Sequence, residues 1–316
     1  MTVSRQTCRA CGDSRWQALE TIDFDHQHTL YAADDAPLRA ALTAAVRQHT
    51  AGYQMQRCDQ CGLEAAHPLV NPGSDWYGLA YGALSLYPTH RWEFDRSISI
   101  LNASHRIADF GCGSGKFLMA CRSAGLTAAG FDFSPEAIAS CHQQGLQAQV
   151  LESVGSDRLP GSDVAPYSHI TSFHVLEHLD DPVWFFKLAA ASTTPNGEIL
   201  LSVPSDRRMS RVYGETDFLD QPPHHLTRWT RAALQAIGNQ TGWALQSFEY
   251  EPWPLSNELW ARAIRQPSYK QRVDTQTPPW QERLLRLAHY PGAAMKTWHA
   301  PHRLSGFSMF ARFNKG

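Results

Sequence analysis

Apolar and polar positions alternate in short blocks through the middle of the chain. Ile107–Phe110 is a run that is apolar except for Asp109, and Lys116-Phe-Leu-Met-Ala-Cys after it reads as a helix start. Ala128–Asp132 is a second strand-like run, followed by Ser134-Pro135, a helix cap with proline at the first helical position. Residues 147–151 and 169–173 predict a third and a fourth strand. Asp181-Pro182 starts the next helix, Asn196-Gly197 ends it, and 198–203 predicts a fifth strand stopped by Pro204. Strands alternating with helices predict a mostly parallel sheet. A helix is expected from Thr230 to Thr241, and 243–250 and 307–313 alternate as two final strands. Roughly fifty residues separate those two, far beyond a hairpin loop. That insertion holds two helix-like stretches, 257–265 and 280–290, the second with Trp280, Leu284, Leu287 and Ala288 on one face. On the N-terminal side, Ala36–Arg47 predicts a short helix, Asn71-Pro-Gly-Ser a turn, and 75–102 a broken helical connector.

Between the first strand and its helix stands Gly111-Cys112-Gly113-Ser114-Gly115. A strand, a glycine turn and a helix place a ligand site at the carboxyl end of a parallel strand. Glycine lets the backbone approach a ligand closely and take positive φ. A P-loop is excluded, because Phe117 follows Gly115-Lys116 and Phe110 stands where its first glycine belongs. A dinucleotide fingerprint fails too, because Lys116 occupies the place of its third glycine. Asp132 lies about 20 residues after the glycines, where doubly wound folds hold a ribose hydroxyl pair. An ordinary strand–helix–strand unit with a surface Asp is the bland reading; loop and acid together favour a nucleoside.

The chain of 316 residues has 43% hydrophobic and 18% charged residues, net charge -2 and a pI near 6.7. That balance argues against a protein that lives on nucleic acid. No stretch of about 18 apolar residues predicts a spanning helix. The first residues lack an apolar signal core, so a cytoplasmic protein is expected. Cys8-Arg-Ala-Cys11-Gly and Cys58-Asp-Gln-Cys61-Gly are matching knuckles that predict a four-thiolate zinc site. Cys112, Cys121 and Cys141 are expected as small core residues. His26, His28, His49 and His67 are expected on the surface or in loops, since the cysteines already fill a tetrahedral site.

Two histidine-rich stretches carry the remaining chemistry. His174-Val-Leu-Glu177-His178 matches the letters of an inverzincin metalloprotease, but it straddles a strand end rather than lying on one helix. The protease reading is rejected. Gln221-Pro-Pro-His224-His225 follows the fifth strand, with Thr230 as the next helix cap. A histidine there can accept a proton near neutral pH; His225 is either that base or a pin for the loop. Tyr77 and Tyr81, four apart, share a helix face.

Asp-x-Gly-x-Gly-x-Gly at Asp109–Gly115 resembles motif I of class I S-adenosylmethionine (SAM) methyltransferases. Leu-Glu-His followed by Asp-Pro resembles their ubiquinone O-methyltransferase and sugar C-methyltransferase branch. The cysteine knuckles, tyrosine pair, glycine loop and His loop together resemble zinc-ribbon methyltransferases of sugar, polysaccharide and secondary-metabolite pathways. The resemblance implies an α/β fold: a Rossmann-like sheet, mostly parallel with an antiparallel last strand, and an N-terminal zinc-ribbon module over residues 1–71. A connector over 72–104, a SAM-binding core over 105–253, a helical insertion over 254–304 and a last core strand over 305–316 complete it. It implies SAM contacts from Asp109, Gly111, Cys112, Gly113, Gly115, Asp132, Phe133, His174 and Tyr81. Structural zinc is implied on Cys8, Cys11, Cys58 and Cys61. His225, His178 and His224 are the proton-handling candidates. In the ubiquinone enzymes an acid stands where His174 stands here, and an acid–acid–His group can hold a divalent metal; this chain departs there. The expected acceptor is a small or carrier-linked molecule, methylated on O or C, with peripheral membrane or lipid-linked contact through the insertion. An RNA methyltransferase is the alternative enzyme, but residues 1–75 hold six Arg, no Lys and nine acids, a net of -3. A non-catalytic SAM-fold partner protein is the other alternative.

Overall fold

A computed structural model of the chain describes residues 6–83, 91–151, 157–215, 217–265, 278–298, 300 and 303–316. It divides into two compact units: Met1–Pro204 with Asp217–Glu249 and Met309–Gly316, and Ser205–Thr216 with Tyr250–Ser308.

The first unit contains two sheets. Strands β1 (Trp16–Ile22), β2 (Tyr53–Cys58) and β3 (Glu64–His67) form an antiparallel meander. Helices α1 (Phe24–Tyr31) and α2 (Ala36–Arg47) lie between β1 and β2, capped by Asp23 and Asp35. Ile22, Phe24, Leu42, Val46, Tyr53 and Trp76 form their shared core. Helix α1 carries a departure from the sequence reading. His28 is fully buried; its Nδ1 lies 2.8 Å from Thr43 Oγ1, and its Nε2 accepts from Trp76 Nε1 at 3.1 Å. Burial pushes its pKa down to about 4, so the ring is a neutral core residue rather than a surface one.

A seven-stranded sheet forms the rest. It comprises β4 (Ile107–Phe110), β5 (Ala128–Asp132), β6 (Ala148–Val150), β7 (Tyr167–Phe173), β8 (Thr193–Pro204), β10 (Trp243–Tyr250) and β11 (Ser308–Lys315). Their order is β10-β11-β8-β7-β4-β5-β6. The pairs β4–β5, β4–β7, β5–β6 and β7–β8 are parallel. Strand β11 runs against both neighbours: Gly316 N donates to Gly242 O, Gln246 bonds Asn314, and Arg312 reaches Glu198. Helices α3 (Ser74–Ala83), α4 (Trp92–Ile98), α5 (Lys116–Ser123), α6 (Pro135–Gln143), α7 (Pro182–Ser192) and α9 (Arg231–Thr241) accompany the sheets. Asn196-Gly197 does not end α7. The helix stops at Ser192, and β8 already begins at Thr193 with an irregular register opposite Tyr167. A Cβ at Gly197 would collide with Thr193, so this glycine serves a close approach within the strand.

Residues Thr227–Arg228 form β9, which pairs with β3 through Glu64↔Arg228 and Ala65↔Thr227. The loop after β8 thereby completes the small N-terminal sheet. Arg228 fixes the junction on Glu64 at 3.1 Å and on Asp220 at 3.3 Å.

The second unit holds α8 (Met209–Tyr213), α10 (Leu255–Ile264) and α11 (Pro279–Trp298). Buried Glu258 of α10 binds Arg262 at 3.0 Å and also Arg303. The apolar face expected on the second helix is not buried: Leu284 and Leu287 are 57% and 52% exposed, and Ala288 is exposed. The face turned inward carries His289 and Ala293 instead. The side chain of Trp280 lies outside the described residues.

Candidate active site

The turn after β4 is shaped by backbone conformations that side chains disfavour. Gly111, Gly113 and Gly115 have φ of 76°, 50° and 81°. A Cβ at Gly111 would collide with Val175, and one at Gly115 would come within 2.5 Å of Leu146. The collision with Val175 also locates the segment after β7: it lies against the glycine turn. Asp132, at the end of β5, ties the turn down from the neighbouring strand. Its Oδ2 accepts from Gly113 N at 2.8 Å and its Oδ1 from Ser134 N at 2.9 Å. Burial raises its pKa, opposed by those backbone donors. Asp109 is buried beneath the turn and accepts from Thr171 Oγ1 at 2.7 Å. Burial pushes its pKa up to about 7, with the charge of Asp132 adding to the rise. A cationic group arriving there would return it to a carboxylate.

The Cys112 side chain is buried in a cluster with Leu118, Ile138 and Cys141, and its Sγ lies 3.7 Å from the Gly113 carbonyl oxygen. Phe133 stays 37% exposed and packs edge-on to Phe110 at 6.0 Å.

His174, expected at the cofactor, is engaged by carboxylates at both ring nitrogens. It adopts φ 56°, uncommon for a residue with a side chain, and lies between two buried carboxylates. Its Nδ1 is 3.2 Å from Glu177 and its Nε2 is 3.1 Å from Glu93. Both ring nitrogens are engaged, so neither is offered to a ligand. Burial works against its charge, but the two glutamates outweigh that and raise its pKa. Burial alone would raise Glu93 and Glu177; the imidazolium between them instead holds Glu93 at about 2 and keeps Glu177 low. Sequence reading missed Glu93, which comes from α4 with no motif to mark it.

Beyond Glu177 the structure gathers His178, His224 and His225. One ring nitrogen of each lies within 4.8 Å of the others. His178 Nδ1 is 2.6 Å from the His224 carbonyl oxygen. Tyr77 Oη donates to the same oxygen at 3.2 Å, and Tyr81 stacks on Tyr77 and meets His224 edge-on at 5.7 Å. Burial lowers the pKa of His178 and takes that of His224 well below its usual value, so both are neutral. His225 Nδ1 is 3.2 Å from Asp220 Oδ1, and its Nε2 is 3.9 Å from Glu177 Oε1. Asp220, from the turn Phe218–Asp220, is the second residue that sequence reading missed.

Cys8, Cys11, Cys58 and Cys61 converge at the far end of the small sheet, all sulfurs within 4.8 Å. Cys8–Cys61 and Cys11–Cys58 are separated by 3.6 and 3.5 Å. A tetrahedral site with metal–sulfur bonds of about 2.3 Å has edges near 3.8 Å, so the donor set fits one thiophilic ion. The Cys61 hydrogen bond holds the Cys8 thiol at about 5, and the same contact pushes Cys61 up. Glycines 12 and 62, both with positive φ, turn their N–H groups back to Cys8 and Cys58 carbonyls.

Residues 92–247 match a protein family described as a methyltransferase domain. The ubiquinone biosynthesis O-methyltransferase of Xanthomonas oryzae pv. oryzae is 25% identical over 171 residues, covering 48% of this chain and 69% of the relative. The enzyme of that name from Ralstonia nicotianae is 27% identical over 103 residues, covering 32% of this chain and 43% of the relative. A solved SAM-dependent methyltransferase from Archaeoglobus fulgidus is 18% identical, covers 71% of this chain and 91% of that one, and superposes with a TM-score of 0.47. The parallel sheet, the glycine turn tied to Asp132 and the family match agree: residues 92–247 are a methyltransferase domain of the class I SAM-dependent kind.

Proposed function

We propose that the chain moves the methyl group of SAM to a hydroxyl of a small or carrier-linked acceptor, with His225 accepting the proton. The observation that carries this is the Asp220–His225 pair, 3.2 Å apart and packed beside Glu177 of the segment that follows β7. An Nδ1–H donated to Asp220 leaves the Nε2 lone pair to accept. The acceptor oxygen attacks the methyl carbon, the C–S bond breaks, and sulfur leaves as a neutral thioether. The proton passes to His225, where Asp220 and Glu177 stabilise the imidazolium. Relatives named ubiquinone biosynthesis O-methyltransferases support a small-molecule acceptor. In this reading Asp109 takes the amino end of SAM, Asp132 the ribose, the glycines the close approach, and Tyr81 and Phe133 the flanks. The four cysteines hold structural zinc. The exposed stripe of Leu284, Leu287, Met295 and Trp298 supports docking of an apolar or lipid-linked acceptor on the helical unit.

Methyl transfer from labelled SAM to a panel of phenolic and sugar acceptors tests the reading. With an acceptor in hand, His225→Ala is expected to cut turnover about 10²–10⁴-fold while SAM affinity, read by calorimetry, stays constant. Full turnover in His225→Gln would make the residue a pin only. Asp132→Ala removes the anchor of Gly113 and, in this reading, the ribose acceptor. SAM affinity should fall by about 1–3 kcal/mol, roughly 5- to 150-fold. Unchanged affinity in calorimetric titration would remove Asp132 from the cofactor site.

A further inference from the structure

We propose that His178, His224 and His225 also form a binding site for a divalent transition-metal ion, distinct from the cysteine cluster. Three imidazole nitrogens within 4.8 Å of one another are already close to ligand spacing. Metal–nitrogen bonds of about 2.0–2.1 Å require tetrahedral edges of about 3.3–3.4 Å, which small side-chain rotations can supply.

The tautomers point the same way. A carbonyl oxygen only accepts, so the 2.6 Å contact with His224 O puts the hydrogen of His178 on Nδ1 and the lone pair on Nε2. Asp220 Oδ1 lies 3.2 Å from Nδ1 of His225, a carboxylate behind a second of the three rings. A carbonyl behind one imidazole and a carboxylate behind another is the arrangement that orients metal-binding histidines. The independent observation is His224. It is only 5% exposed, and its Nδ1 is buried with no hydrogen-bond partner among the described residues. Burying such a nitrogen unmet is costly. Three packed rings forming a polar core do not account for it; an ion does. Glu177, 3.9 Å from His225 Nε2, adds negative charge that favours a cation.

The donor set selects the metal. Neutral imidazoles favour Zn²⁺, Co²⁺, Ni²⁺ or Cu²⁺ over Mg²⁺ or Ca²⁺, which prefer oxygen. Three protein ligands leave a coordination position open to an oxygen of water or acceptor. The ion and the proton compete for His225 Nε2, so a loaded site silences the free base. The proposal stands on the ligand geometry and does not depend on the acceptor's identity.

The test uses the full chain with its cysteine site filled by zinc, titrated with Co²⁺ and followed by absorption and calorimetry. The expected result is one further equivalent, with visible cobalt bands, no thiolate-to-cobalt charge-transfer band, and no displacement by Mg²⁺. His224→Gln and His178→Gln should abolish that equivalent, and Asp220→Asn should weaken it about 10–100-fold. Zinc content and thermal melting check that each variant is folded; if one is not, the other His→Gln variant and Asp220→Asn carry the decision. Absence of the further equivalent, its survival in a folded His→Gln variant, or a spectrum showing thiolate bands alone would overturn the proposal. A folded chain that lacks the equivalent yet retains methyl transfer dependent on His225 would remove the metal and keep the base.

Discussion

Cys58→Ser is expected to release the N-terminal metal and to unfold the small sheet well below the melting temperature of the parent chain. Structural zinc sites on four thiolates contribute about 10–16 kcal/mol of apparent binding energy, which becomes folding energy when no preformed site exists in the unfolded chain. Cys58 ends β2, the strand between β1 and β3, and its sulfur is 3.5 Å from Cys11. The loss should reach the histidines. Thr230 Oγ1 donates to Cys61 O at 3.0 Å, and β9 pairs with β3 just after His224 and His225. Metal analysis and thermal melting, with and without a chelator, check this. A chain that melts at the same temperature after complete metal removal would show the cysteines to be simple core residues.

His174→Gln is expected to cost about 3–5 kcal/mol, the usual loss when one partner of a buried charge pair is removed. Glutamine fills a similar space but leaves Glu93 and Glu177 facing each other without the imidazolium. Both are buried, so solvent does little to screen the repulsion. The same cluster sets a pH dependence. The folded pKa of His174 lies above 6.5, so its contribution is complete below that value and is lost as pH rises through the raised one. The folded value of Glu93, about 2, lies below its usual 4.5, so its contribution is present above 4.5 and is lost as pH falls through about 2. Stability should decline on the alkaline side in the parent chain, and that limb should flatten in His174→Gln. Denaturant titrations across pH measure both. Equal stability of the two chains at neutral pH would mean that the three groups do not carry opposing charges.

The chain's own pattern was enough for its local features, and the reason is periodicity and backbone chemistry. Short apolar runs bounded by turn residues mark β4, β5 and β7, and alternation marks β10 because a strand repeats every two residues. Ser134, Asp181 and Thr230 mark helix starts because each side chain accepts from the first turn. The glycine turn and the two cysteine knuckles are legible because positive φ and thiol ligation admit few other residues. Tertiary structure alone decided what depends on distant partners. His28 became a core ring because Trp76 closes over it. His174 became the centre of a carboxylate pair because α4 brings Glu93 to its second nitrogen. Asp220 reached His225, and the apolar stripe of α11 stayed in solvent, through packing that no local spacing encodes. A buried charge is set by what surrounds it in space, and the sequence names those neighbours without saying which will meet.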